Sequence, residues 1–282
     1  MIRPKVEIVA CMVCHMMAGV AQAQSVNGTA LDLCGLRPTF TEDFNDLKVS
    51  AWKIGGNRWI AHTPWHGDFG DAGFSNPQPD FPFTVKDGLL RIEARKEANG
   101  KWHSGLLASA DQWNDGFSQL YGYFEVRMKI PKGPGTWPAF WLGETRPPET
   151  PLGTSLEVDV IEFYGQFPDI FHSGYIVWDS VHHTHVGEHH TENRPSGTLD
   201  AGFHTFGVEI EKDFMTFYCD RHQIWQTPTP EQHKFPMMIL VNLALGSGWS
   251  IENTPNPSFL DVDYIHVFER DPTKCKSTPS PE

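Results

Sequence analysis

Gly122-Tyr-Phe-Glu-Val-Arg-Met-Lys-Ile130 alternates without a break: Phe124, Val126, Met128 and Ile130 are apolar, while Tyr123, Glu125, Arg127 and Lys129 carry polar groups. A period of two is that of a β-strand with one face on a core and the other turned to solvent or a cleft. Gly88-Leu-Leu-Arg-Ile-Glu-Ala94 reads the same way, and residues 203–210, 214–219, 237–243 and 263–268 are further strand-like segments. Beyond the first 23 residues no apolar pattern of period 3.6 is sustained and no internal repeat occurs, so the expected fold is all-β, an antiparallel β-sandwich. Its turns can draw on 25 Gly and 22 Pro. A chain of 282 residues is long for one domain, yet all-β sandwiches reach ~200–250 residues as single units.

Arg3 and Lys5 precede a mostly apolar run from Ile8 to Val20, closed by Ala21-Gln22-Ala23. This pattern reads as a signal peptide over residues 1–23, too short to span a bilayer, so the expected destination is secretion, with no membrane attachment after cleavage. The catalytic domain is then expected over residues 24–271 and a polar, fraying tail over 272–282. The formal net charge of −13 excludes a nucleic-acid partner of the usual kind, which needs clustered Lys and Arg. Removing the leader leaves Cys34, Cys219 and Cys275. Cys219 lies in a strand-like run where a thiol packs as a small apolar group, which favours a Cys34–Cys275 bond over the alternative of three reduced thiols.

Three carboxylates fall within six residues in Ser155-Leu-Glu-Val-Asp-Val-Ile-Glu-Phe163. Glu157 and Asp159 share a face of a strand. Glu162 has the wrong parity to join them unless one residue is inserted near Val160-Ile161 as a β-bulge, which also sends Val158 and one of the aliphatic pair into the core. Three acids on one face repel, and the repulsion raises at least one proton affinity. That is the requirement of a retaining glycosidase, in which one ionised carboxylate attacks the anomeric carbon and a protonated partner ~5–5.5 Å away serves the leaving oxygen. Upstream, Trp137 and Trp141 are four apart on a strand and share a face, either as platforms for sugar rings or as a buried aromatic pair.

With these segments in hand, the chain resembles glycoside hydrolase family 16, the laminarinase, lichenase and agarase group. The resemblance spans nearly all of the mature chain and rests on Phe40-Thr-Glu-Asp-Phe44 with Trp52, Ser104-Gly-Leu-Leu107, Tyr121-Gly-Tyr-Phe-Glu125, Gly135-Thr-Trp-Pro-Ala-Phe-Trp141, Glu157-Val-Asp-Val-Ile-Glu162, Phe203-His-Thr-Phe206, Asn242-Leu-Ala-Leu-Gly246 and Asp263-Tyr-Ile-His-Val267, in that order. It implies a concanavalin A-like jelly roll with an open cleft. It also implies Glu157 as nucleophile, Asp159 as its assisting acid and Glu162 as general acid/base, in the bulged form of the motif. Many members hold a structural calcium, which the resemblance maps onto Asp43, Gly88 and Asp263; alternatively Asp263 makes only hydrogen bonds at a strand start. No cofactor is implied for catalysis.

The segment His182-His-Thr-His-Val-Gly-Glu-His-His190 matches nothing in that pattern. Its spacing is not that of a zinc protease, and it reads better as a loop bordering the cleft, with His185 at its centre and its imidazoles meeting sugar hydroxyls. The connection over residues 57–82, holding Trp65, His66 and Asp68, would form the opposite wall, together with Trp249. The expected partner is a polysaccharide, cut internally at β-1,3 or mixed β-1,3/β-1,4 linkages by a monomer, a bacterial exopolysaccharide being one candidate. A lectin on the same fold would not need three aligned acids, and a transglycosylase would differ in acceptor contacts that the sequence does not reveal.

Overall fold

The computed structural model describes residues 28–147, 149–151 and 153–275. The leader at 1–23 and the tail beyond Cys275 lie outside them. In chain order the strands are β1 (Leu36–Glu42), β2 (Val49–Ser50), β3 (Trp59–Ile60), β4 (Ala72–Phe74), β5 (Phe83–Lys86), β6 (Leu89–Lys96), β7 (Trp102–Ser104), β8 (Leu106–Ala108) and β9 (Gly122–Lys129). They continue as β10 (Thr136–Glu144), β11 (Thr154–Phe163), β12 (Ile170–Asp179), β13 (Thr184–Asn193), β14 (His204–Ile210), β15 (Phe214–Cys219), β16 (His222–Pro228), β17 (Met237–Leu245) and β18 (Ser258–Arg270). Among the described residues the one helical element is a 3-10 turn at Pro272–Lys274, and no helix is long and apolar enough to cross a membrane.

Two sheets pack face to face. One runs β16-β15-β14-β9-β18-β6-β7-β4, with β1 also on β18 and β5 also on β6; the other runs β13-β12-β11-β10-β17-β8-β3-β2. Pairing is antiparallel except at the short β2–β3 and β4–β7 contacts. Hairpin turns follow the usual chemistry: Asp87-Gly88 between β5 and β6 and Asp220-Arg221 between β15 and β16 have positive φ at both positions, which matches the twist of the flanking strands.

The core between the sheets is built by the alternation. Phe124, Val126 and Met128 of β9, Leu90 and Ile92 of β6, and Ile265 and Val267 of β18 meet Phe140, Leu142, Val158, Phe163, Ile239 and Val241 from the facing sheet. A second apolar layer lies on the outer face of the β10–β17–β8–β3 region, where Trp137, Trp141, Leu106, Ala108, Met238, Leu240 and Ile60 pack with Phe69 and Phe74.

Four expectations need correction. The polar side of β9 is only partly solvated: Arg127 and Lys129 are half-buried, but Tyr123 and Glu125 are buried, with Glu125 gripped by two Arg221 guanidinium nitrogens at 2.8 and 2.9 Å and by the Tyr123 and Tyr264 hydroxyls. Residues 57–82 are not one connection but include β3 and β4. The histidine segment is a strand, since only His182 and His183 lie in the turn and Thr184–Asn193 pairs with β12 over ten residues. The domain also runs past residue 271, because Cys275 is bonded to Cys34 with Cα atoms 5.4 Å apart, while Cys219 is free and buried.

Candidate active site

β11 carries the acids because its β-branched residues favour a strand and because its register slips once. Asp159 pairs with Gly174 of β12 and Glu162 pairs with His172, so Val160 and Ile161 together oppose Ser173. On the other edge Trp141 pairs with Asp159 and Ala139 with Glu162, with the same slip. The extra residue restores parity: Glu157, Asp159 and Glu162 emerge half-buried on one face, and both Val160 and Ile161 enter the core, rather than one of them. The Ser173 hydroxyl donates to the Val160 carbonyl at 2.8 Å, satisfying a backbone group that the bulge removes from the ladder.

Each acid has its own surroundings. Trp178 of β12 donates its indole N–H to Glu157 Oε2 at 3.1 Å. Burial pushes the Glu157 carboxyl up to about 7, opposed by that N–H and reinforced by the charge of Glu162. Asp159 is driven well above the carboxylate range, first by burial and then by the charges of the two glutamates on either side. Glu162 is raised by burial against two donors, the Tyr164 hydroxyl and the Trp137 indole N–H, the latter 2.8 Å from Oε1, and against the charge of His189. Tyr164 is itself held by the Ser247 hydroxyl, and Ser247 sits at φ 53° between two glycines of positive φ. The triad can therefore hold protonated and ionised carboxyls side by side.

The other expected residues divide. Trp137 and Trp141 share the face of the acids but are only 7% and 6% exposed, because Phe69 packs edge-on against both. They are not bare sugar platforms: Trp137 orients Glu162, and Trp141 donates to buried Asn242 at 2.8 Å. Trp65 is 44% exposed and leans on Trp141 with ring centroids 5.9 Å apart, beside Gly143, the residue paired with Glu157. His66 is exposed against Trp52 and Gln112. Trp249 is exposed and meets Phe167 edge-on at 5.1 Å. His185 faces Trp178 across β13, rings 5.0 Å apart.

The residues mapped to calcium do not fit a hard cation as a set. The backbones of Asp43 and Gly88 lie close together, but the Asp263 carboxylate is ion-paired with Arg127 and the Asp43 carboxylate is hydrogen-bonded to His266 at 2.7 Å. Its one aspartate side chain is already neutralised by a guanidinium. Among the described residues no group of three or more His, Cys, Asp or Glu side chains could hold a metal ion, the β13 histidines included.

Trp178, Tyr164 and His172 escaped the sequence reading although all belong to the site, whereas His189 was expected at the cleft only as one of the 182–190 histidines. Trp178, Ile176, Gly174 and His172 alternate on β12, and directly opposite them on β13 stand His185, Gly187, His189 and Thr191. Burial and the neighbouring His189 and His190 lower the His172 pKa, which keeps that ring neutral next to Glu162. Parity counted outward from Glu157 would have found them once β12 was recognised as a strand.

Residues 80–266 match the family model described as glycosyl hydrolases family 16. The chain belongs to this family. An endo-1,3-1,4-beta-glycanase of Rhizobium meliloti (strain 1021) is 33% identical over 269 residues, covering 86% of this chain and 54% of that protein. A glucan endo-1,3-beta-glucosidase of Niallia circulans is 27% identical, covering 86% of this chain and 39% of that protein. The chain thus spans about half the length, or less, of these family 16 relatives. Among solved structures, the catalytic domain of an endo-1,3-beta-glucanase (laminarinase) from Thermotoga petrophila RKU-1 superposes with a TM-score of 0.67 at 23% identity, over 85% of this chain and all of that one. The sandwich described above is therefore the family 16 jelly roll.

Proposed function

We propose that the protein is a secreted, monomeric, retaining endo-hydrolase of β-1,3- or mixed β-1,3/β-1,4-linked glucans. The observation that carries the reading is the bulged β11, which aligns Glu157, Asp159 and Glu162 on one open face with separate hydrogen-bond partners for the outer two. Ionised Glu157 attacks the anomeric carbon while Glu162 gives its proton to the departing glycosidic oxygen; Glu162 then takes a proton from water, whose oxygen displaces Glu157. Protonated Asp159 steadies the charge on Glu157. The linkage preference is drawn from relatives matched over most of this chain, one named an endo-1,3-1,4-beta-glycanase and the other a glucan endo-1,3-beta-glucosidase, the latter supporting a glucan. Trp65, beside the partner of Glu157, and His185, against Trp178, would line the path of the chain near the acids, and His66 and Trp249 would line it farther out.

The test is hydrolysis of a panel of β-glucans and β-galactans by wild type and Glu157→Gln, with products followed by proton NMR. Retention requires the β-anomer to appear first, and endo-action requires viscosity to fall before reducing ends accumulate. Undiminished turnover by Glu157→Gln, or an α-anomer formed first, refutes the mechanism. Export is checked by N-terminal sequencing of protein recovered outside the cytoplasm, with Gln24 expected as the first residue.

A further inference from the structure

Retaining chemistry places the two carboxyls on opposite sides of the reacting sugar. The line from Glu157 to Glu162 runs along β11, so a bound glycan must lie across the strands. Leaving the acids toward β10, it passes Gly143, the partner of Glu157, and the exposed Trp65 beside it. Further along lies a group of side chains that the chemistry does not use.

Three loop segments converge there. His66, directly after Trp65, contacts Gln112 Oε1 at 3.1 Å and the Trp52 ring at 4.7 Å between centroids; Trp52 in turn stacks on buried His62 at 3.9 Å. The neighbour of Gln112 is Trp113, 45% exposed, with Lys53 Nζ 4.5 Å from the centre of its ring. The platform is built, not incidental. Buried Asp111 accepts the backbone N–H of Trp113 and of Asp115 on one oxygen, at 2.9 and 3.2 Å, and the backbone N–H of Ile54 on the other at 2.9 Å. One carboxylate thus ties the turn carrying Trp52 and Lys53 to the turn carrying Trp113. The Asn114 side chain adds a bond to the Arg146 carbonyl at 2.6 Å, with Asn114 in a left-handed conformation.

A large, partly exposed indole held in a rigid turn, with the Lys53 ammonium over its ring and the His66 imidazole on the adjoining Gln112, presents apolar surface and nearby donors suited to the apolar face and equatorial hydroxyls of a β-linked glucose unit. We propose that Trp113, with Trp52, His66 and Lys53 around it, is a second carbohydrate-contact surface that holds the glucan chain beyond the catalytic acids and favours long substrates over short ones. This rests on the glucan-hydrolase reading and extends it to chain length.

The test compares wild type, Trp113→Ala and Trp113→Tyr on soluble mixed-linkage β-glucan and on a trisaccharide too short to reach from the acids to Trp113. The KM for polymer should rise about tenfold relative to that for the trisaccharide in Trp113→Ala, the scale of one lost aromatic contact, and Trp113→Tyr should recover most of it. The same substitutions in the Glu157→Gln background should weaken retardation in a gel containing the glucan. A polymer-to-trisaccharide KM ratio within twofold of wild type, with wild type active on both, overturns the surface and leaves the function standing. Wild type inactive on every glucan, with Glu157→Gln not retarded by any, overturns both. An unchanged melting temperature for Trp113→Ala excludes misfolding as the cause of the loss.

Discussion

Replacing Glu157 by Gln should make the protein more stable, and only at neutral to alkaline pH. The carboxyl is raised from its usual 4.5 to about 7 chiefly by burial. At ~1.4 kcal/mol for each tenfold change in proton affinity, keeping Glu157 ionised costs the fold about 3 kcal/mol above pH 7. Water reaches this half-buried group from the open face, so about 2 kcal/mol is the better figure. Because the folded pKa lies above the unfolded one, the unfolded chain loses its proton first, and stability falls as pH rises from about 4.5 to about 7. Below pH 4.5 both states hold the proton and the penalty vanishes.

Gln has the shape of the protonated acid and still accepts from Trp178, so it removes the charge with little else. For a domain of this size ~1 kcal/mol moves the melting temperature by about 2 °C. Calorimetry should therefore find Glu157→Gln melting about 4 °C above wild type at pH 8 and level with it at pH 4. Asp159→Asn should show a difference of the same sign, since burial and both glutamates raise that group further. A difference independent of pH, or a variant less stable than wild type at pH 8, would show that the acids are not held against their ionisation and that the division of protons among them is wrong.

Trp178→Phe deletes the N–H on Glu157; the acid limb of the pH–rate profile should move to higher pH and kcat/KM should fall about tenfold or more, the scale of a hydrogen bond to a charged group. Tyr164→Phe keeps the ring beside Trp137 but loses the hydroxyl on Glu162, so the basic limb should move to higher pH, readable in the same profile. Cys34→Ser opens a link between positions 241 residues apart and should cost about 2–5 kcal/mol in denaturant unfolding, without changing the limbs of the pH profile.

What the sequence disclosed, and what it hid, follows from where each signal resides. β6 and β9 were legible because their apolar residues alternate with polar ones, and β15 and β17 because both of their faces are buried, so apolar residues run nearly unbroken along them. β13 hid because it is an edge strand exposed over most of its length, with histidines where an inner strand would carry Val or Ile. β12 hid because its core-facing positions include Ser173, whose hydroxyl is needed at the bulge, and its site-facing positions include Gly174, where a Cβ would strike the backbone of β13. With β12 unread, Trp178 and His172 could not be placed. Trp137 and Trp141 were put on the right face with their exposure left open, because what covers them is Phe69, from a segment whose path has no periodicity. Glu125 shows the same limit: its partner Arg221 is 96 residues away, and no local pattern reports that contact.

The bulge itself admits a sharper test than any single side-chain change. In β11 two residues, Val160 and Ile161, occupy the space opposite Ser173. Deleting Ile161 leaves Glu157-Val-Asp-Val-Glu, in which the three acids keep one face by ordinary alternation, and the pairings of Asp159 with Gly174 and of Glu162 with His172 can persist unchanged. The loss is one buried side chain, roughly 2–5 kcal/mol if the space does not close and less if it does. Deleting Val158 removes one methylene less of buried apolar side chain but no bulge. It forces Glu157 onto the face opposite Asp159, into the layer holding Phe140 and Ile239, where an unpaired carboxylate cannot be accommodated. The Ile161 deletion should therefore fold and retain measurable hydrolysis, lowered by the altered approach of Glu162 to Glu157, while the Val158 deletion should give neither a cooperative melt nor activity. A Val158 deletion that hydrolyses glucan, or an Ile161 deletion that fails to fold even at low temperature, would mean that parity on β11 does not govern where the acids point.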